Sequence, residues 1–179
     1  MDDSRRYALL KEVKRMTRIA GIINNSVVDG PGLRTAIFFS GCRRHCRGCH
    51  NPEAQDFNYG KEYTEDDIDK ILTLARNVGD SGITLTGGHP LEPENYEFAY
   101  EIVKKAKEYN LDVWLYTGYV FEQIPIMYMD LISLCDVVVD GPFIENLKSN
   151  DCLYRGSTNQ RLINIKETFD RGEIVLWKN

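Results

Sequence analysis

The amino-acid sequence predicts an α/β fold: an incomplete, open β/α barrel built on a parallel sheet. Short β-rich runs alternate with amphipathic helical stretches from residue 18 onward, which is the pattern of a parallel sheet covered by helices. A complete eightfold barrel takes about 250 residues, and this chain has 179. Roughly six strand–helix units fit within that length, so we expect one open domain over residues 18–179.

The predicted strands are apolar runs rich in β-branched and aromatic residues. They lie at residues 19–23, 35–39, 83–86, 113–116, 137–139, 162–165 and 174–177. Glycine follows four of these runs within two residues, at Gly41, Gly87, Gly118 and Gly141. Because parallel strands end at one rim of a sheet, we expect these turns to gather where α/β folds build their sites.

Two helices are predicted between the strands. The first begins near Thr64, where Thr64 and Asp67 resemble a capping box and the apolar residues behind them recur on one face. The second begins near Glu94 and carries lysines towards its C-terminal end, where the helix dipole favours cations.

Residues 1–17 differ in character from the rest of the chain. Leu9, Leu10 and Val13 form an apolar stripe among arginines and lysines, which predicts a short amphipathic helix. We expect a peripheral N-terminal extension, separate from the domain that begins at residue 18.

Charge and hydropathy exclude several classes of protein. A net charge of −5 leaves no basic excess for nucleic acid. No apolar run approaches the roughly 20 residues of a membrane span, and no signal-peptide segment opens the chain. We therefore expect a cytoplasmic protein with neither a nucleic-acid nor a membrane partner, in which clustered cysteines are metal-binding or catalytic.

Three of the five cysteines lie close together, at Cys42, Cys46 and Cys49. Thiolate sulfur is the ligand that iron–sulfur clusters and zinc select, and this spacing brings three sulfurs round one inorganic centre on one loop. Three protein ligands leave one iron of a four-iron cluster open, and an open position is where substrate coordinates in catalytic metal sites. Structural zinc, with His45 or His50 as fourth ligand, fits the same spacing, so the pattern alone leaves both open.

The spacing Cys42-x3-Cys46-x2-Cys49 resembles the signature of the radical S-adenosylmethionine (SAM) superfamily. Flanking segments resemble activases of glycyl radical enzymes, and two later segments are similar to the activating proteins of anaerobic ribonucleotide reductase. These segments are residues 28–32, 50–52, 86–91 and 154–161. The resemblance covers roughly residues 18–165. Segment 154–161 is the feature that distinguishes activating proteins of anaerobic ribonucleotide reductase from other members of the superfamily.

This resemblance implies an enzyme that installs a glycyl radical on the large component of anaerobic ribonucleotide reductase. Cys42, Cys46 and Cys49 would hold a 4Fe-4S cluster whose open iron binds the amino and carboxylate groups of SAM. An electron from the cluster would cleave SAM to methionine and a 5′-deoxyadenosyl radical, which abstracts a hydrogen atom. A small acidic protein such as flavodoxin or ferredoxin would supply the electron.

Two other functions are compatible with the sequence. Within the same class, the chain would activate another glycyl radical enzyme, such as pyruvate formate-lyase. In a different class, it would be a zinc-binding interaction module.

The resemblance also assigns residues around SAM. They are Gly48, His50, Gly87, Gly88, His89, Thr117 and Asp140. Gly87 and Gly88 would run their backbone along the methionine end, because only glycine permits such close approach. Most relatives carry Glu or Asp where this chain has His89, so we assign the amino contact to backbone carbonyls near the glycines and expect no charge role for His89. The alternatives are a locally hydrogen-bonded His89 and an Asp140 that caps a turn.

Segment 154–161 has no periodicity and is typical of a polar loop before a strand. Through the resemblance it is an activase element that faces the radical acceptor. Arg155, Asn159 and Gln160 carry forked or paired hydrogen-bonding groups suited to gripping a peptide backbone. The alternative is a loop whose side chains bond to one another.

The cysteine loop is locally basic in an acidic protein, since it contains Arg43, Arg44, His45 and Arg47. These charges would favour the reduced, more anionic cluster and steer an acidic electron donor. The alternative is a solvated loop whose charges point outward.

Overall fold

The computed structural model describes residues 16–178. The predicted N-terminal extension, residues 1–17, lies outside the described residues apart from Met16 and Thr17, so its amphipathic helix stays a prediction. The first strand already begins at Thr17.

The described residues form one seven-stranded mixed sheet. The strands are β1 (Thr17–Ser26), β2 (Arg34–Phe39), β3 (Lys61–Tyr63), β4 (Gly82–Gly87), β5 (Asp112–Tyr116), β6 (Val137–Asp140) and β7 (Arg161–Asn164). Their order is β3-β1-β2-β4-β5-β6-β7. The central strands β2, β4, β5 and β6 are parallel, whereas β1, β3 and β7 pair antiparallel at the edges. The sheet is open, as expected, but the prediction of about six parallel units was wrong, because only four described strands run parallel.

Four α-helices accompany the sheet. They are α1 (Glu65–Asn77), α2 (Pro93–Glu108), α3 (Met129–Leu134) and α4 (Ile165–Arg171). The capping box is confirmed, since the Thr64 N–H donates to Asp67 Oδ2 at 3.0 Å and α1 begins one residue later. None of the helices among residues 16–178 is long and apolar enough to cross a bilayer.

Two strand predictions differ from the structure. Residues 174–177 form only an isolated bridge between Ile163 and Leu176. The short strand β3 escaped prediction because its sequence is polar and largely exposed, so no apolar alternation marks it.

Strand alternation divides the sheet into two faces. On β5, Val113 and Leu115 belong to the core packed under the helices, whereas Trp114 belongs to a second cluster on the other face. On β2, Ile37 and Phe39 face the helices in the same way. The helices therefore fill one face, and the carboxyl ends of the parallel strands frame a site on the other.

Candidate functional site

A cavity of about 770 Å³ opens on the face opposite the helices. Side chains at the ends of three parallel strands line it, namely Phe38, Thr86 and Tyr116. Gly87, Gly88, Gly118 and Gly141, from the turns after β4, β5 and β6, also lie in its wall. The glycine turns thus meet at one rim, as the strand direction predicts.

Cys42, Cys46 and Cys49 line the same cavity, and all three are free and partly buried. Burial raises the pKa of the Cys42 thiol above its usual range, and the negative charges of Glu92 and the two other cysteines act in the same direction. Thiolates in this environment need a cation among them. A cluster of iron atoms supplies such charge, so the donor set fits an iron–sulfur site.

The zinc alternative needs His45 or His50 as a fourth ligand. Among residues 16–178 no three His, Cys, Asp or Glu side chains are gathered round one point, and this includes the three motif cysteines, so the finding favours neither metal. The His45 Nδ1 lies 3.0 Å from Gln55 Oε1, and the His50 ring packs on Phe143 with centroids 5.3 Å apart. His45 thus has one ring nitrogen in a hydrogen bond and His50 has a ring contact, and the zinc alternative stays a prediction.

Main-chain hydrogen bonds hold the start of the cysteine loop. The Gly41 N–H donates to Ala54 O at 2.8 Å, and the His89 N–H donates to Gly41 O at 2.9 Å. A Cβ on Gly88 would lie 2.6 Å from the carbonyl oxygens of Gly41 and Ala54. Gly88 is therefore required where three backbone segments meet, which is a different reason from the cofactor contact that we expected of it.

Gly87 has a similar structural role. Its φ is +93°, and a Cβ would lie 2.6 Å from Phe38 Cα on the neighbouring strand. Both the left-handed backbone and the close strand contact select glycine here.

His89 is buried, and both of its ring nitrogens have partners. Nε2 lies 2.9 Å from Thr117 Oγ1, and Nδ1 lies 3.5 Å from Glu92 Oε1. Because the ionised Glu92 carboxylate only accepts, Nδ1 carries the ring proton, and the Thr117 hydroxyl donates to Nε2 while it accepts from the Tyr119 N–H. Burial lowers the pKa of His89, although Glu92 opposes this, so the ring is neutral at pH 7. The expectation that His89 carries no charge agrees with this geometry.

Glu92 joins His89 to the cysteine loop. Its Oε1 accepts from the Arg43 N–H at 3.0 Å, and its Oε2 pairs with the Arg43 guanidinium at 2.6 Å. Burial acts to raise the pKa of Glu92, but hydrogen bonds from His89 and Arg43 outweigh it and lower the pKa to about 2. Arg43 also pairs with Glu94 and lies 4.3 Å above the Phe57 ring. We refer to Arg43, His89 and Glu92 as the carboxylate clamp.

The other basic side chains of the loop take different directions. Arg47 is 93% exposed and pairs with Glu145 at 2.9 Å. Arg44 lines the cavity, with its guanidinium 4.1 Å from the centre of the Tyr119 ring. Of the three arginines, only Arg44 lines the cavity.

Asp140 and Gly48, two predicted cofactor residues, do not line the cavity. Asp140 is 1% exposed and lies on the helix face of β6, where it accepts from the Phe121 N–H at 2.8 Å and pairs with Arg161. This placement contradicts a cofactor contact. Asp140 bonds to the first residue of a short helical turn at Phe121–Gln123, and not to the segment at Pro142 where the alternative expected a cap. Gly48 has a φ of +70°, and its Cα faces Glu145.

The remaining predicted cofactor residues, His50, Gly87, Gly88, His89 and Thr117, all lie in the cavity wall.

Segment 154–161 is bonded largely to itself and to the end of β6. Gln160 Oε1 accepts from the Gly156 N–H at 2.9 Å, and its Nε2 donates to Gly141 O at 3.1 Å. Asn159 Nδ2 donates to Pro142 O at 2.8 Å. Arg155 lines the cavity, and its Nη1 donates to Gln160 O at 3.1 Å. The amide donors of Asn159 and Gln160 are thus used within the protein, as the alternative for this loop described.

Sequence reasoning missed Glu92 and Asn95. The buried Asn95 donates from Nδ2 to Ser40 O at 2.9 Å and to His89 O at 3.0 Å, which ties the turn after β4 to the cysteine loop. Both residues follow the glycine turn, but their partners lie some 50 positions away, so no local pattern identifies them.

Comparison with known proteins gives the class and then the family. A family model described as a 4Fe-4S single cluster domain matches residues 28–163. Anaerobic ribonucleoside-triphosphate reductase-activating proteins are similar over three quarters of this chain. That of Salmonella typhi is 36% identical over 138 residues, which cover 75% of this chain and 90% of the relative. The proteins of Escherichia coli K12 and of phage T4 are 34% and 37% identical over 75% of this chain, covering 90% and 86% of their own lengths.

The class is therefore that of proteins with a single 4Fe-4S cluster domain. Within it, the chain belongs to the family of anaerobic ribonucleoside-triphosphate reductase-activating proteins.

Proposed function

We propose that this protein generates a glycyl radical on anaerobic ribonucleotide reductase, with a 4Fe-4S cluster and SAM as its cofactors. One observation supports the proposal most strongly. Cys42, Cys46 and Cys49 all line the same cavity, which lies at the carboxyl ends of the four parallel strands. The names of the relatives favour this reductase over pyruvate formate-lyase as the target.

The residues present fit these cofactors. Cys42, Cys46 and Cys49 supply three soft donors for the cluster. A volume of about 770 Å³ lies within the roughly 300–1,000 Å³ of small-molecule sites. Two arginines in its wall, Arg44 and Arg155, each have a buried Nε without a hydrogen-bond partner among the described residues. Buried polar groups without a partner are rare in folded proteins, and a bound ligand is one way in which such groups are satisfied.

When bound and reduced, the cluster supplies the electron that cleaves SAM. The protein orients the cofactor and limits its contact with water. His50, Thr117 and the backbone at Gly87–Gly88 are the proposed contacts in the cavity wall. Since His89 is neutral and already bonded to Thr117, it orients that hydroxyl and provides no charge for the ammonium group.

The reductase would meet the protein at the cavity mouth. Val27, Val28 and Leu153 line the cavity and are also at least half exposed, so they form an apolar rim. Arg155 lies in the same wall and is the proposed polar contact with the target chain. Asn159 and Gln160 would act indirectly, because their amides hold the loop in shape.

Electron delivery would use the outer side of the cysteine loop. Arg47 is almost fully exposed there, and Arg43 is about half exposed. A small acidic donor such as flavodoxin or ferredoxin would approach this side in the cytoplasm and would compete with Glu92, Glu94 and Glu145 for the two guanidinium groups. We propose that residues 18–179 form a single catalytic domain, an open barrel of the radical SAM type.

The test combines cofactor loading with two products. The protein is reconstituted anaerobically with iron and sulfide, and we expect a brown protein that produces 5′-deoxyadenosine from SAM on reduction. Added reductase large component should then acquire a glycyl radical signal in electron paramagnetic resonance (EPR). A colourless zinc protein that cleaves no SAM would overturn the proposal, whereas SAM cleavage without a radical on the reductase would overturn only the target.

A further inference from the structure

Arg44 has an unusual position for an arginine. It lies between the first two motif cysteines, yet its side chain lines the cavity and is partly buried. The turn after β5 makes room for it, because a Cβ on Gly118 would lie 2.1 Å from Arg44 Cδ. The face of the guanidinium lies 4.1 Å from the Tyr119 ring centre. Stacking fixes the plane of the cation and leaves its edge available for hydrogen bonds.

The charge of Arg44 has no anionic partner in the described part of the chain. Arg43 pairs with Glu92 and Glu94, and Arg47 pairs with Glu145, but no carboxylate of residues 16–178 lies within ion-pair distance of Arg44. The Arg44 Nε is also buried without a hydrogen-bond partner. An unmet donor on a partly buried cation is costly, so the geometry calls for an anion in the cavity.

The chemistry of the guanidinium distinguishes between the anions that the cavity would hold. Thiolate sulfur is a weak, diffuse acceptor, whereas a carboxylate matches the planar fork of an arginine. Resting on the proposed function, we infer that Arg44 binds the carboxylate of the methionine moiety of SAM. Arg155, the other cavity arginine, also has a buried Nε without a partner, but its Nη1 already donates to Gln160 O, whereas no hydrogen bond of the Arg44 guanidinium is found within residues 16–178.

The experiment measures equilibrium binding of two ligands by calorimetry to anaerobically reconstituted protein. One ligand is SAM, and the other is decarboxylated SAM, which lacks the carboxylate and keeps the sulfonium and the amino group. Arg44→Gln should weaken SAM binding by roughly tenfold or more and leave decarboxylated SAM almost unchanged, because only SAM loses a charge-assisted contact. The absorption spectrum of each variant confirms that the cluster is loaded.

Two further variants sharpen the result. Gly118→Ala keeps the charge but displaces the Arg44 side chain, so it should reproduce the selective loss of SAM binding. Lys166→Gln removes an exposed cation that does not line the cavity and should bind both ligands as the wild type does.

The outcomes separate this inference from the proposed function. Equal losses for both ligands in Arg44→Gln would show that Arg44 acts through the cluster or the fold, and would overturn the inference alone. Unchanged SAM binding in that variant would do the same. Failure of the wild-type protein to bind SAM would overturn both the inference and the proposed function.

Discussion

The two walls of the cavity are built in different ways. The wall that carries the cysteine loop is fixed by backbone hydrogen bonds among Gly41, Ala54 and His89, and by the buried Asn95. The mouth presents exposed apolar side chains, such as Val28 at 71% exposure. A cluster requires ligands held in one geometry, whereas a protein partner requires an accessible surface. The difference indicates that cofactor binding and partner binding are separable, and substitutions confined to one wall can test that separation.

The largest effect is expected at the cysteines. Cys46→Ala should abolish both cluster binding and SAM cleavage, because the two remaining thiolates, of Cys42 and Cys49, are too few to retain the cluster. Iron and sulfide analysis with EPR of the reduced protein measures this loss. Cys152→Ala is the matched control, since Cys152 also lines the cavity but lies outside the motif, and it should load normally. Full cleavage activity in Cys46→Ala would contradict the assignment.

Gly88→Ala tests the backbone contact in the rigid wall. The added methyl group would lie 2.6 Å from two carbonyl oxygens, so we expect a loss of about 1–3 kcal/mol in the free energy of unfolding. Denaturant titration followed by circular dichroism measures it. Gly21→Ala is the control, because a Cβ there meets nothing within 4 Å. Equal free energies of unfolding for the two variants would show that the backbone around Gly88 can move away from the added methyl group at little cost.

Glu92→Gln removes the charge at the centre of the carboxylate clamp. We expect a loss of about 2 kcal/mol in stability at pH 7, with allowance for screening on the Arg43 side, and faster loss of iron to a chelator. Because the folded pKa is about 2 and the ordinary value is 4.5, the stabilisation is complete above pH 4.5 and is lost as the pH falls towards 2. The effect should therefore be the same at pH 6 and pH 8. Glu101→Gln, which breaks an exposed pair with Lys104, should change stability little.

Val28→Asp tests the mouth. We expect SAM cleavage without change and about a tenfold lower yield of glycyl radical on the reductase, since a charge replaces an apolar contact at the rim. Both products are quantified in the same sample. Leu74→Asp, an exposed apolar position on α1, serves as the control. A parallel fall in 5′-deoxyadenosine would show that the mouth also shapes the cofactor site.

The smallest effect concerns His89. Its folded pKa is lowered by burial, so its contribution to stability is complete above the unfolded value of 6.5 and is lost as the pH falls below it. Between pH 8 and pH 6 the wild type should lose at most about 0.8 kcal/mol from this group. His89→Gln should remove that part of the pH dependence, as measured by urea titration at both pH values. An unchanged pH dependence would show that another group is responsible.

Features set by neighbouring residues were predictable from the sequence. The Thr64–Asp67 capping box and the three-cysteine spacing both depend on groups a few positions apart, and the structure has the helix and the shared cavity that they imply. The prediction that Asp140 contacts the cofactor was wrong about the face of the sheet. A position directly after three valines indicates the end of a strand, but it does not indicate which face of the sheet the side chain joins. The two-residue period of a strand puts Asp140 on the same face as Val138, which lies in the helix-side core.

Contacts between distant segments could not be predicted. The clamp joins residues 49 positions apart, and Arg44 meets Tyr119 only because two loops end at the same rim. The sequence therefore indicated which residues are basic around the cysteines, but it gave no indication of which one would enter the cavity. Arg43 and Arg47 are paired with carboxylates outside the cavity, and Arg44 is not.

The backbone contacts beneath the cysteine loop have a consequence for sequence divergence. Every non-proline residue carries an N–H and a carbonyl, so a loop held by main-chain hydrogen bonds depends little on the identity of its side chains. This chain and the T4 phage protein are 37% identical, which means that most aligned positions have changed. A main-chain support can tolerate such drift, provided that the cysteines and the glycines at the close contacts are kept.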